Sequence, residues 1–272
     1  MSELWTEVGD RVFVRRYRFF DQDVVAVLGG DGALVVDTRY TPAQAREVLD
    51  DLRELGSPRV GVVVNTHGHG DHCNGNSVFR PAPIWGHERC ATMIRLTGEQ
   101  QRLSGLAETP DVAGDLAEVV LDPPDHTFTD RATLDLDGRI VDLAYLGRGH
   151  TDNDIVITIA DADVLCVGDL LENGAPPWFG DGYPMDWPAT ARAILDRTGE
   201  RTVVVPGHGA HAGRAFVERS LDEIQAIADF ATRIHAGELD LEAAIAAAPY
   251  RPAPSREALE RGVAQLRGEL DA

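Results

Sequence analysis

Four strand-like apolar segments of this chain each lead into residues that commonly bind metal ions. The segment 60–64 runs into Thr66-His-Gly-His-Gly-Asp-His72, which holds three imidazoles and one carboxylate. Three later apolar segments each precede a glycine and then a metal-binding residue type, at His150, Asp169 and His208. Neutral imidazole and carboxylate groups are suitable ligands for zinc and similar metals. We therefore predict that four strand ends build a metal site at one edge of a β-rich fold.

The motif at 66–72 favours metal binding over a plain cluster of histidines. Three imidazoles buried side by side are costly near neutral pH, and a shared metal ion removes that cost. Gly68 and Gly70 let the backbone bend, so that alternating side chains converge on one place. The alternative, an exposed histidine-rich loop, does not account for the ligand-type residues that follow the later strands.

The apolar pattern predicts strands followed by helices, twice over. The first helix has Thr41 as N-cap, Pro42 in its first turn and Gln44 as capping-box partner, and Gly56-Ser57-Pro58 ends it. Residues 97–124 form a polar stretch spaced by proline and glycine, partly helical. Strands are predicted at 11–18, 24–28, 33–36, 60–64, 84–85, 132–136, 140–145, 155–159, 164–167 and 202–205. Helices are predicted at 42–55, 87–96, 188–198, 214–235, 241–248 and 255–270.

This order of elements indicates an α/β fold in which two β-rich halves face each other with helices outside, a four-layer αββα sandwich. We assign residues 1–236 to that domain and 237–272 to a short C-terminal helical extension. The extension is rich in alanine and glutamate and broken by prolines. It is interpreted as a packed appendage, with a dimer contact or a lid over the site as the functional alternatives.

Charge and composition exclude several classes of function. The net charge of −20 disfavours nucleic acid as a substrate, because an acidic surface repels phosphate backbones. No segment is apolar over the roughly 20 residues that a membrane span needs, and residues 1–5 lack the pattern of a secretory signal. Cys73, Cys90 and Cys166 are odd in number and have no paired spacing, which indicates a reducing compartment and predicts a cytoplasmic protein.

The spacing His67-x-His69-x-Asp71-His72, with His150, Asp169 and His208 in order, resembles the metallo-β-lactamase superfamily from about residue 11 to residue 235. The resemblance implies two metal ions, most readily zinc, with iron or manganese as alternatives. The first would be bound by His67, His69 and His150, and the second by Asp71, His72 and His208. Asp169 would bridge the two. Asp37 matches an acid that orients a ligand histidine, although a turn-capping role explains it equally well.

The resemblance also implies a mechanism, in which a hydroxide shared by the two metals attacks a carbonyl and Asp71 accepts or relays a proton. We predict a dinuclear hydrolase of a small ester, thioester, lactone or lactam. A true β-lactamase is an alternative, disfavoured because many of those enzymes hold the substrate carboxylate with lysine, which this chain lacks. A persulfide dioxygenase with one iron at His67, His150 and Asp169 stays open. A non-catalytic metal-binding protein is the third alternative.

Substrate recognition is the part that the sequence defines least. The segment 174–187 follows Asp169 and is rich in proline, glycine and aromatic residues. Its aromatic side chains either wall an apolar pocket or pack the loop onto the sandwich; they are Trp178, Phe179, Tyr183 and Trp187. The expected partner is a small-molecule substrate, with a homodimer as a further possibility. Three histidines are predicted not to bind metal, at a helix start, in a loop and at a helix end: His87, His126 and His235. His211 either lines the pocket or lies in an outer loop, and the outer loop is favoured.

Overall fold

The computed structural model describes residues 4–30, 32–56 and 59–270, which form two β-sheets flanked by helices. The first sheet contains β1 (Thr6–Gly9), β2 (Val12–Tyr17), β3 (Gln22–Leu28), β4 (Ala33–Val36), β5 (Val60–Val64), β6 (Ile84–His87) and β7 (His126–Phe128). The second contains β8 (Arg131–Leu136), β9 (Arg139–Tyr145), β10 (Ile155–Ile159), β11 (Val164–Gly168) and β12 (Val203–Pro206). The helices are α1 (Pro42–Leu52), α2 (Gly70–Cys73), α3 (Glu88–Glu108), α4 (Ala113–Leu116), α5 (Trp187–Leu195), α6 (Arg214–His235), α7 (Leu241–Ala247) and α8 (Pro252–Leu266).

Strand direction divides each sheet into two parts. In the first sheet, β1 to β4 pair antiparallel and β4 to β7 pair parallel. In the second sheet the order is β12-β11-β10-β9-β8, antiparallel except for the parallel pair β11 and β12. The strands that deliver the candidate ligands, β9, β11 and β12, consequently run in the same direction and end at the same edge.

Three hydrophobic layers confirm the predicted sandwich. Alternate residues of β3 point to opposite faces: Val25 and Val27 pack against the second sheet, while Val24 and Ala26 pack towards α1. The outer face of the second sheet is covered by α5, α6, α7 and α8, with Trp187 and the apolar side of α6 at the centre. Strands β3, β4, β10, β11 and β12 are thus buried on both faces, which agrees with their nearly continuous apolar sequences.

The start of α1 follows the prediction closely. The Thr41 side chain accepts a hydrogen bond from the Gln44 backbone N–H at 3.3 Å, and Pro42 is the first helical residue. The Gln44 side chain accepts from the backbone N–H of Tyr40 at 3.3 Å rather than from that of Thr41. After a short 3-10 turn the chain reverses at Gly56, whose φ is 68°. Ser57 and Pro58, the rest of the predicted helix end, lie outside the described residues, as do residues 1–3.

Helix α3 is longer than predicted. It continues to Glu108 through Gly98 and Gly105, which looked like helix breakers in the sequence. A Cβ on Gly98 would lie 3.1 Å from the Leu121 side chain, and one on Gly105 would lie 2.0 Å from the Tyr40 hydroxyl. These two glycines therefore allow α3 to pack closely against Leu121 and Tyr40, at a cost of about 1 kcal/mol each in helix propensity. Strands β1 and β7 were not predicted; β7 contains His126, which was expected in a loop.

The last two helices belong to the same hydrophobic core as α5 and α6. Ala244 and Ile245 of α7 and Leu259 of α8 are buried there. Helix α8 also contacts the segment between β11 and α5 through two of its polar residues. Arg261 Nε donates to the Gly182 carbonyl at 2.5 Å. Gln265 accepts from the Met185 N–H at 2.9 Å and donates to the Asp186 carboxylate at 3.1 Å. The boundary at 236/237 stays a prediction.

Across the described ranges, none of the helices combines the length and apolar character needed to cross a membrane.

Candidate metal centre

The candidate ligands converge at the edge of the sandwich where strands of both sheets end. β5 leads into the loop that carries His67 and His69, and α2 carries Asp71 and His72. The second sheet contributes the residues that follow β9, β11 and β12, which are His150, Asp169 and His208. His150, Asp169 and His208 are far apart in the sequence, and they reach the motif at 66–72 because β9, β11 and β12 end at the same edge.

Three imidazoles form a first set of potential ligands. His69 Nδ1 lies 3.0 Å from His67 Nε2 and 2.8 Å from His150 Nε2. Their remaining nitrogens point outwards: His69 Nε2 donates to Asp181 Oδ2 at 2.9 Å, and His150 Nδ1 donates to the Trp178 carbonyl at 3.1 Å. Because those outer nitrogens carry the protons, the inner nitrogens present lone pairs to the shared space.

A second set lies beside the first. His72 Nε2 and His208 Nε2 are 3.3 Å apart, and Asp71 Oδ2 lies 3.3 Å and 3.2 Å from them. Asp169 Oδ2 lies 3.3 Å from His72 Nε2 and 3.2 Å from His208 Nε2. The same oxygen is 3.8 Å from His67 Nε2 and 3.6 Å from His150 Nε2 in the first set. Asp169 therefore stands between the two sets.

The distances between the candidate ligand atoms and one unsatisfied carboxylate oxygen fit a divalent cation. A tetrahedral zinc ion at about 2.0–2.1 Å from each nitrogen holds those nitrogens about 3.3 Å apart. The ligand atoms of His67, His69 and His150 lie within 4.8 Å of one another, as do those of the second set. Asp169 Oδ1 is buried without a hydrogen-bond partner, which is typical of a group that awaits an ion or a water molecule.

The charges of the site lead to the same conclusion. Burial lowers the pKa of His67 well below its usual value and that of His150 to about 4, so both rings are neutral at pH 7. Burial opposes ionisation of Asp169, but His208 and His72 hold the pKa of its carboxyl well below the usual range. Burial likewise opposes the charging of His72, yet Asp169 and Asp71 raise its pKa well above the usual value. Without a cation, protons on the second set balance the carboxylates; bound metal would replace them.

The family of the chain follows from comparison with known proteins. The family model described as the metallo-beta-lactamase superfamily matches residues 17–214. The chain belongs to this superfamily. A metallo-beta-lactamase type 2 of Bacillus cereus is 26% identical over 194 residues, covering 70% of this chain and 68% of that protein. A metallo-beta-lactamase type 2 of Bacteroides fragilis is 24% identical over 226 residues, covering 79% of this chain and 82% of the relative.

Solved structures share the fold of this chain. A metallo-beta-lactamase from Pontibacter korlensis superposes with a TM-score of 0.64 at 22% identity, over 81% of this chain and 98% of its own. A double mutant of the sec-alkyl sulfatase PisA1 superposes with a TM-score of 0.77 at 16% identity, over 97% of this chain and 50% of its own. At these identities the likeness shows the fold alone.

Asp37 contacts the centre through one ligand histidine, as the resemblance implied. Its Oδ2 accepts from His72 Nδ1 and from the Thr66 hydroxyl, each at 2.8 Å, and its Oδ1 accepts from the Thr66 N–H at 2.8 Å. The carboxylate therefore fixes the His72 ring and also ties the end of β4 to the end of β5. The bond to His72 is the contact expected of an acid that orients a ligand histidine, whereas the bonds to Thr66 join two strands and do not cap a turn.

A cavity of about 770 Å³ opens above the two sets of ligands. His69, Asp71, His150, Asp169 and His208 lie on its floor. One wall is the face of α3 from Met93 to Glu108, and the opposite wall is the segment from Glu172 to Asp181. Phe20 and Tyr40 complete the rim. The size suits a small organic substrate.

Of the four aromatic residues considered as pocket walls, Trp178 lines the cavity. Its ring is 49% exposed and meets the His69 ring edge-on at 5.2 Å. Phe179 and Trp187 do not line it: both are fully buried, with ring centroids 5.0 Å apart, and they pack the loop onto the sandwich. Tyr183 also lies outside the cavity, half-buried beneath the Arg148 guanidinium, 4.5 Å from its ring.

Two acidic residues at the site were missed from the sequence. Asp181 binds His69 Nε2, and its Oδ1 is buried without a partner. Glu172 accepts from the backbone N–H of Trp178 at 3.2 Å. It also forms a further potential ligand group with His150 and Asp169. Burial and the neighbouring Asp169 raise the pKa of Glu172 to about 8 when no cation is present. The only sequence signal was the position of both carboxylates in the loop after Asp169.

The four remaining histidines lie outside both ligand sets. His87 caps α3, accepting from the Arg89 N–H at 3.1 Å and donating to the Thr129 carbonyl at 2.8 Å. The others are found on β7, in the loop before α6 and at the end of α6, and they are His126, His211 and His235.

Proposed function

We propose that this protein is a dinuclear metal-dependent hydrolase that cleaves a small ester, thioester, lactone or lactam. The observation that carries the proposal is the position of Asp169 Oδ2, within 3.8 Å of nitrogens from both ligand sets. One oxygen in that position can serve two metal ions, and the proposed metal is zinc, with iron or manganese as alternatives. When bound, the ions supply Lewis acidity that lowers the pKa of water and polarises a carbonyl.

The first set, His67, His69 and His150, would hold one ion, and Asp71, His72 and His208 would hold the other. Asp71 is the ligand carboxylate with the larger exposure, 18% against 6% for Asp169, and it lines the cavity. It can therefore orient a water molecule on the cavity floor and accept its proton. Trp178 and the face of α3 would position the acyl group above it. The three cysteines are buried outside the cavity lining, which argues against a cysteine nucleophile.

Two further proposals concern the setting of the enzyme. Cys73, Cys90 and Cys166 are all free and buried, which supports a reducing, cytoplasmic compartment. Exclusion of nucleic acid as a substrate rests on the charge of −20. The homodimer stays a prediction.

Elemental analysis of the purified protein, followed by a hydrolysis screen, tests the proposed function. We expect about two metal ions per chain and turnover of at least one ester, thioester, lactone or β-lactam. His69→Ala should lose metal from the first set and abolish hydrolysis, because its Nδ1 is shared by His67 and His150. His211→Ala is the matched control: it removes an exposed imidazole three residues after His208 and should change neither property.

Two results would contradict the proposal. Hydrolysis that survives His69→Ala would exclude this centre as the reaction site. One iron ion per chain, with oxygen uptake in the presence of a persulfide, would favour the dioxygenase alternative.

A further inference from the structure

The walls of the cavity above the metal centre carry negative charge and no arginine or lysine side chain. Among the described residues that line it, six are carboxylates and none is arginine: Asp21, Asp71, Glu108, Asp169, Glu172 and Asp181. The chain has no lysine anywhere, so arginine is the only permanently cationic side chain it could use. A substrate anion would therefore find no guanidinium or ammonium partner in this cavity.

The metal ions would not reverse this balance. Two divalent ions bring four positive charges, and Asp71 and Asp169 cancel two of them. Asp181 and Glu108 cancel the other two, while Asp21 is already paired with Arg16 at 2.5 Å. Glu172 adds a further negative charge when it is ionised, and the total is zero when it is not. The cavity consequently never reaches a net positive charge, and the field of a chain with net charge −20 adds to the repulsion of anions.

Each wall also places an aromatic ring beside a carboxylate. On one side, the Glu172 carboxylate accepts from the backbone N–H of Trp178, and the Trp178 residue is 49% exposed. On the other side, the Tyr40 ring lies 5.2 Å from the ring of Phe20, a residue that is 44% exposed. The Tyr40 hydroxyl lies against Gly105 of α3, and Glu108, three residues further along that helix, also lines the cavity. Exposed aromatic faces next to carboxylates are the usual means of binding an organic cation, through cation–π and Coulomb attraction together.

We propose that the substrate of this site carries no negative charge and that the cavity favours a substrate with an organic ammonium group. This inference rests on the proposed hydrolase function and deepens it. It implies that acyl substrates with a free carboxylate, sulfonate or phosphate are poor ones, even though they fit the volume of the cavity.

A matched series of three acetyl thioesters tests the charge preference. The series consists of acetylthiocholine, its neutral isostere S-(3,3-dimethylbutyl) thioacetate, and S-acetyl-3-mercaptopropanesulfonate. Each reaction consumes one water, breaks the C–S bond and releases acetate and one thiol, which is counted with a chromogenic disulfide. Sulfonate is used as the anion because it is a weaker metal ligand than carboxylate. We expect kcat/KM to fall in the order cation, neutral, sulfonate, with the differences shrinking at high ionic strength.

Two variants locate the effect. Glu108→Gln should lower the ratio of kcat/KM for the cation to that for the sulfonate by about threefold, the effect of one charge several ångströms away in a largely solvated cavity. Glu118→Gln is the matched control, because Glu118 is exposed and lies outside the cavity lining. It should leave the ratio unchanged. A sulfonate substrate as good as the neutral one, or a ratio unmoved by Glu108→Gln, would overturn the proposal.

A binding measurement separates this inference from the proposed function. If none of the three thioesters is hydrolysed, hydrolysis of thioesters fails, and calorimetry with the metal-loaded protein then judges the charge preference by itself. The probes are butyltrimethylammonium and butanesulfonate. Tighter binding of the ammonium ion supports the inference, with the difference reduced in Glu108→Gln. Binding of the sulfonate equal to or tighter than that of the ammonium ion, or no measurable binding of the ammonium ion, overturns it.

Discussion

Replacing Asp37 by asparagine should weaken the second metal site while preserving the shape of the chain. Asp37 has a φ of 63°, a left-handed conformation that asparagine tolerates well. The amide oxygen can still accept from the Thr66 N–H, now 2.8 Å from Oδ1. The amide NH₂ would then replace Oδ2 and face His72 Nδ1, which at present donates over 2.8 Å. The two donors conflict unless the proton of His72 moves to Nε2, the nitrogen that must be bare to bind a metal ion.

The magnitude follows from that single contact. The Thr66 hydroxyl can rotate and accept from the new amide, so the interaction that is lost is the charge-assisted bond to His72. Such a bond contributes about 1.5–3 kcal/mol, and that is the expected fall in the free energy of unfolding of the metal-free protein. Loss of the partner that orients a ligand histidine usually lowers metal affinity by about 10–100-fold. We expect a loss in this range for one of the two metal ions.

Competition with a chromophoric chelator measures the two metal affinities, and urea unfolding in the presence of chelator measures stability. Asp51→Asn is the matched control. Asp51 Oδ2 also accepts two side-chain hydrogen bonds, from Tyr17 at 3.0 Å and Arg15 at 3.2 Å, but contacts no candidate ligand. It should lose stability and keep both metal ions. If Asp37→Asn bound two metal ions as tightly as the unchanged protein, the assignment of Asp37 as the group that fixes His72 would be refuted.

Three further outcomes are expected. Asp181→Ala should lower affinity at the first metal site by about tenfold, measured by the same chelator competition, because it frees His69 Nε2; unchanged affinity would show that this contact is dispensable. Phe179→Ala should cost about 3–5 kcal/mol in urea unfolding, since the ring is fully buried against Trp187, and a cost below 1 kcal/mol would contradict its placement in the core. Asp23→Asn should stabilise the metal-free protein increasingly from pH 4 to pH 8: burial raises the pKa of Asp23 to about 8, so the folded state stays protonated while the unfolded state ionises near pH 4. Equal unfolding free energies for Asp23→Asn and the unchanged protein at pH 8 would disprove that assignment.

The fold and the ligand positions could be predicted because both are encoded locally. Each candidate ligand follows an apolar strand within a few residues, and strand direction alone decides whether such residues meet. His208 illustrates the point, since it reaches His72 only because β12 runs parallel to β11. An apolar run and a following glycine predict a strand end that carries a candidate ligand, whereas no local pattern predicts which distant loop returns to cover the site.

The features that were missed depend on contacts between distant segments. Gly105 reads as a helix breaker until the Tyr40 hydroxyl is seen to occupy the space of its side chain. Phe179 and Trp178 are adjacent in sequence and equally aromatic, yet one is fully buried and the other is 49% exposed. His69 and Asp181 are separated by 112 positions in the sequence, so no local pattern predicts their hydrogen bond. Packing between segments decides each of these cases, and a single sequence does not record it.

The hydrogen bonds from α8 to the segment between β11 and α5 bear on how this protein can be altered. Arg261 and Gln265 support a stretch whose neighbouring residues include Trp178, at the cavity, and Asp181, against His69. A chimaera that moved this loop into a relative without such a helix would transfer Trp178 and Asp181 but not α8, which supports their segment. Truncation after α7 would likewise remove the contacts of α8 with the segment that leads to Asp181 and the candidate ligand His69. The segment between β11 and α5 should therefore be altered together with α8 in any engineered variant.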